Sequence, residues 1–156
     1  MKSDLLIRAA TVGDLSTIVD FNTRLAEETE HFLLDREILQ VGVSAVLADA
    51  SRGHYDLASS GGMIVGQMMH TREWSDWRNG DIWWLQSVYV HPDHRRCGVF
   101  RALYEHLMAQ AAADPSVVGL RLYVEAENRS AQTTYQHMGM VQSGYLVMQR
   151  LFGQKD

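Results

Sequence analysis

The chain has one cysteine, Cys97, and two prolines, Pro92 and Pro115, in 156 residues. A single thiol excludes an internal disulfide framework and suits a reducing compartment. So little proline, with 21% charged residues, excludes extended disorder. No apolar run approaches the roughly 20 residues needed to cross a bilayer. The opening MKSDLLIRAA holds too short an apolar stretch for a secretory leader, and Asp4 interrupts it. Positive charge is scarce too. Fourteen Lys and Arg stand against nineteen Asp and Glu, a formal net charge of −5, whereas dedicated nucleic-acid binders carry a basic surplus. The expectation is a soluble, cytoplasmic protein with neither a nucleic-acid nor a membrane partner.

What is present is a core. With 46% hydrophobic residues, the chain reads as one globular domain over 1–156, without repeat or linker. Leu5 to Ile7 opens as a short strand. Thr11 to Asp14 resembles a capping box, and Leu15, Ile18, Val19, Leu25 and Ala26 follow on one helical stripe. Asp35 is placed to cap a second helix carrying Ile38, Val41, Ala45 and Val46. From Tyr55 the period changes to that of a hairpin, Tyr55 to Ala58 and Met63 to Thr71, turning at Ser59 to Gly62. Residues 73–80 read as a loop, and Ile82 to Val90 as a long apolar strand covered on both faces. A helix from Gly98 to about Ala113, a strand from Val117 to Glu125, a helix from Asn128 to Met138 and one or two closing strands within Val141 to Leu151 complete a mixed α/β order.

Chemistry concentrates in Val88 to Leu103, VYVHPDHRRCGVFRAL. An apolar strand ends at Pro92, and a basic turn with Gly98 opens a helix. First-turn N–H groups lack intrahelical partners and the dipole is positive there, so such a turn receives anions; Arg95, Arg96 and Arg101 add charge. Thirty residues after Gly98 comes Asn128-Arg129-Ser130-Ala131, leading to Tyr135 and Gly139-Met140. Together these stretches resemble the acyl-CoA-binding core of the GNAT superfamily of N-acetyltransferases.

The resemblance implies a GNAT fold, a mixed and mostly antiparallel sheet flanked by helices, with a V-shaped split between the strand ending at Val90 and the strand starting at Val117. It implies acetyl-CoA as co-substrate, no metal, and direct transfer to a primary amine on a small molecule or peptide; a homodimer is compatible with it. Backbone amides of Arg95, Arg96, Cys97, Gly98, Val99, Phe100 and Arg101 would wrap the pyrophosphate. Phe100 departs from the family's pattern, which has a small residue there. Val88, Tyr89 and Val90 match the edge that pairs with the pantetheine amides, a form of β-augmentation. Asn128 would cap its helix and bond the cofactor, and Tyr135 would protonate the leaving thiolate. Glu28 and Glu30, where the first helix ends, are the candidate proton acceptors for the amine. Trp74, Trp77, Trp83 and Trp84 flank the acceptor side, where aromatic faces attract cations. A non-catalytic acyl-CoA-binding or regulatory module is the alternative, and would dispense with Tyr135. Cys97 is not read as a nucleophile, because the phosphate end of the cofactor lies far from its thioester. The seven histidines have no recognisable zinc spacing.

Overall fold

The computed structural model describes residues 4–153. The chain forms two compact units, Met1–Tyr123 and Val124–Asp156. In the first unit Arg8 on strand β1 (Leu6–Ala9) grips Asp14 with both guanidinium arms, at 2.8 and 2.9 Å. The same carboxylate accepts the Thr11 N–H at 2.8 Å, closing the entry to helix α1 (Leu15–Glu30). Helix α2 (Arg36–Ala48) starts as expected at Asp35, whose Oδ1 accepts from the N–H groups of Glu37 and Ile38. Its inward stripe keeps Val46 of the expected one but is rotated from it. Ile38 and Val41 are exposed, while Val43 is buried with Leu39, Val46 and Leu47 packed beside it. Both stripes have helical spacing, and the sheet beneath selects between them.

Strands β2 (His54–Ser60), β3 (Met63–Ser75), β4 (Gly80–Val90) and β5 (Val117–Leu122) join β1 in one sheet of order β1-β2-β3-β4-β5. All neighbours run antiparallel except β4 and β5, which are parallel. Residues 73–75, expected in a loop, extend β3: Glu73 faces Ile82 and Ser75 faces Gly80 across the ladder, leaving only residues 76–79 to turn. The polar run there has loop composition, but the facing backbone of β4 supplies a complete ladder.

Ile18, Val19 and Val43 pack with Tyr55, Leu57 and Met69 to form the core on one face of the sheet. Strand alternation sends Asp56, Met68 and His70 to the other face. Helix α3 (Val99–Ala113) covers that face, so closely at Gly66 that an added Cβ would sit 2.7 Å from Val99 Cγ1. The strand after α3 stops at Leu122, three residues before the expected Glu125, where its pairing with β4 ends.

In the second unit, helix α4 (Arg129–His137) matches the expected span, with Gly139 at φ 90° just past its end. The strands expected within 141–151 are absent among the described residues. Alternating apolar residues become a strand only where a second backbone completes the ladder, and this segment has no paired strand in its unit.

Candidate active site

Strand β4 pairs with β3 almost end to end, but with β5 only from Asp81↔Val117 to Leu85↔Leu122. Among the described residues, the stretch from Gln86 to Val90 pairs with β3 alone, because β5 ends at Leu122; the expected second arm of a V is not formed as a strand, and this edge of β4 is open. Met69 faces Gln86 and Gln67 faces Tyr89, which leaves Met68 opposite both Ser87 and Val88. This bulge puts Ser87 at φ 50°. A buried network pins it. Gln67 Nε2 donates to the Ser87 carbonyl and to Asn22 Oδ1, both at 3.0 Å, and Asn22 Nδ2 donates to the Tyr55 hydroxyl at 3.1 Å. Beyond the bulge the His91 N–H reaches the Val65 carbonyl on β3 at 2.8 Å. By alternation Val88 and Val90 turn their backbone groups to the open edge. The Val90 carbonyl accepts from Arg95 Nε at 3.0 Å. Tyr89 faces the helical layer instead: its ring is 5.0 Å from Phe21 and 3% exposed.

After a single 3-10 turn, Pro92–His94, the chain bends through Arg96 at φ 61° and Gly98 at φ 81°. Left-handed residues at alternate positions are a backbone pattern compatible with an anion nest. Space beside Gly98 is open, since a Cβ built there would meet nothing within 4 Å. The first intrahelical bond runs from the Ala102 N–H to the Gly98 carbonyl at 3.0 Å, so the N–H groups of α3's first turn have no acceptor within the helix. Phe100 packs toward Tyr104 one turn on, its ring centroid 6.0 Å away, so its bulk runs along the helix. Cys97 is exposed, with Sγ 3.4 Å from the Arg95 carbonyl.

The arginines divide their duties. Arg101 pairs with Glu105 along α3 at 3.6 Å. Arg95 reaches Glu28 of α1 at 2.5 Å and lies over the Tyr89 ring, 5.6 Å from its centroid. The Tyr89 hydroxyl donates to the other Glu28 oxygen at 3.3 Å, and burial together with the Glu28 charge pushes this phenol up from its ordinary value. Glu28 thus ties the turn to α1, with each oxygen engaged. Glu30 ends α1 and is exposed, followed by His31 at φ 51°. In the second unit Asn128 caps α4, its Oδ1 accepting from the Ala131 N–H at 3.1 Å, and Tyr135 follows two turns on.

On the α1 face of the sheet, around the end of the β4–β5 pairing, Arg121 reaches Glu73 at 2.6 Å and Gln86 Nε2 donates to Thr71 Oγ1 at 2.6 Å. The rings of Trp84 and Tyr123 meet at a tilt, centroids 4.5 Å apart. A separate polar row lies under α3, which sequence spacing did not reveal because its members come from three elements. Asp56 has His54 Nε2 at 3.1 Å and His106 Nε2 at 3.7 Å, and His70 stacks on Trp83 at 4.1 Å. Among the described residues no group of three side chains is arranged to hold a metal. No helix among them is long and apolar enough to cross a membrane.

The open strand edge thus runs into a left-handed turn at a helix N-terminus, within an acetyltransferase fold. The model of the acetyltransferase (GNAT) family matches residues 17–140, and the chain belongs to that family. A possible acetyltransferase from Clostridium difficile 630 superposes with a TM-score of 0.90 at 41% identity, covering 96% of this chain and 99% of that one. The fold also matches a ribosomal-protein-alanine N-acetyltransferase from Brucella melitensis biovar Abortus 2308, with a TM-score of 0.75 at 17% identity over 96% of this chain and 99% of the other. A GCN5-related N-acetyltransferase from Ralstonia eutropha JMP134 gives 0.75 at 18% identity, over 94% and 98%. No curated protein sequence matches significantly.

Proposed function

We propose that this protein transfers an acetyl group from acetyl-CoA directly to a primary amine on a small molecule or peptide. The observation that carries this reading is the junction of the open β4 edge with the turn at Gly98. It offers an edge without a second strand, where only the Val90 carbonyl is engaged by Arg95, to an amide-bearing arm, and the N–H groups of the turn and first helical turn to a pyrophosphate, end to end. Residues Val88 and Val90 hold the arm. The segment from Arg95 to Arg101 holds the phosphates, with Gly98 admitting close approach. In the transfer the amine nitrogen bonds to the acyl carbon as the carbon–sulfur bond breaks, and the departing thiolate takes a proton. The family resemblance gives that proton to Tyr135. The amine loses its own proton to Glu30 or to water; Glu28, with both oxygens engaged, orients Arg95 instead.

Calorimetry tests the ligand. Acetyl-CoA and CoA should bind at micromolar to millimolar levels, more weakly as salt screens the phosphates. Adenine and nicotinamide nucleotides binding in their place overturns the reading. Tyr135→Phe should lower kcat about 10²–10⁴-fold with little change in acetyl-CoA affinity. Unchanged turnover removes Tyr135 from the chemistry.

A further inference from the structure

The pairing of β4 with β5 ends at an apex, Leu85 beside Leu122, beyond which the β4 edge is open. Trp84 precedes the first of these and Tyr123 follows the second, so the two rings, 4.5 Å apart and inclined by 39°, bracket the apex. They stand on the α1 face, in register with Thr71 and Arg121. The opposite face is filled at this level, with Leu85 3% and Trp83 5% exposed beneath α3. Tyr123 by contrast is 62% exposed. From Val90 to the apex at Leu85 is five residues, about 17 Å at strand rise. An extended arm entering at the Gly98 turn and following the open edge is therefore stopped in the plane of the sheet by the Leu85–Leu122 pairing. With the α3 face filled by Leu85 and Trp83, its end group turns to the α1 face, where the aromatic pair stands. The Glu73–Arg121 ion pair spans β4 on one side of Trp84 and the Gln86–Thr71 bond lies on the other. The indole is thus fenced by two cross-strand pairs.

We propose that Trp84 and Tyr123 form an acyl-length gauge, a wall at the apex that admits a two-carbon acyl group and turns away longer chains. The inference rests on the acyl-CoA reading above and adds which donors the site accepts. Each methylene that finds apolar room is worth about fourfold in affinity, so truncating the wall should favour longer chains.

The test is calorimetric and needs no acceptor. CoA, acetyl-CoA, butyryl-CoA and hexanoyl-CoA are titrated into the full chain and into Trp84→Ala, Trp84→Leu and Tyr123→Ala variants. The wild type should bind acetyl-CoA at least as tightly as butyryl-CoA and hexanoyl-CoA. The variants should shift the butyryl-to-acetyl affinity ratio by roughly tenfold toward butyryl. A merely structural role for the rings would weaken all four ligands alike and leave that ratio fixed, which overturns the gauge. Tyr123→Ala, at an exposed position, keeps the test open if a Trp84 variant does not fold. A wild type that binds none of the four overturns the acyl-CoA reading and the gauge with it.

Discussion

Gly98 and Arg95 show how differently single residues declare themselves. Gly98 was legible, because a glycine six residues after Pro92 and opening an apolar helix has few other uses. The structure adds its reason, φ 81° with open space beside the Cα. A β-branched side chain there meets backbone strain and fills the space that the proposed phosphate site needs. Gly98→Val should therefore weaken acetyl-CoA binding by at least tenfold more than Cys97→Ser, read by calorimetry; equal effects would remove the turn from phosphate binding. Arg95 was expected to face phosphate, and its side chain binds Glu28, 67 positions away in sequence. No local pattern announces such a pair. With both Glu28 oxygens engaged, Glu28→Gln should lower acetyl-CoA affinity several-fold while the acceptor's KM stays level. The opposite split would return Glu28 to the acceptor.

At the scale of elements, those marked by local chemistry were read closely. Asp35 and Asn128 cap their helices and Gly61-Gly62 turns a hairpin, each in the short range where sequence alone decides. Elements defined by partners were not. The end of β5, the inward face of α2 and the segment 141–151 depend on which backbone or side chain lies opposite. The bulge at Ser87 was invisible for a further reason: a serine, not a glycine, holds φ 50°. Buried Gln67 keeps it there by donating to both Ser87 and Asn22. Gln67→Leu strands those two carbonyl oxygens, and a buried polar group left unpaired costs about 1–3 kcal/mol. Urea unfolding should show a loss of about 2 kcal/mol, accompanied by weaker acetyl-CoA binding as the open edge loses its set. Full stability in the variant would mean the bulge is held by β3 alone.

For the whole molecule, the sequence offered composition and net charge, and both suited a stable domain of acidic balance. What neither revealed is a part-buried titratable row, because strand pairing and helix packing assemble it from distant segments. His70, 4% exposed, is held at about 4 by burial and by neighbouring His54, with Arg72 acting in the same direction and Asp56 against it. Its folded value lies below the ordinary 6.5, so folding favours the neutral ring. That contribution is complete above pH 6.5 and is lost as pH falls toward 4, a change worth up to about 3 kcal/mol. His54 works the other way. Its bond to Asp56 raises it, so its contribution is full in acid and fades as pH rises through its folded value, but its side chain is 35% exposed and solvent screens the pair. His106, 3.7 Å from Asp56 across the helix interface, shares that carboxylate. The larger effect is that of His70, and the fold should weaken between pH 6.5 and 4.5. His70→Phe keeps an aromatic ring against Trp83 and removes the titration. Its urea midpoint should vary less over this window than that of the wild type. A parallel decline in both proteins would place the acid sensitivity outside this row.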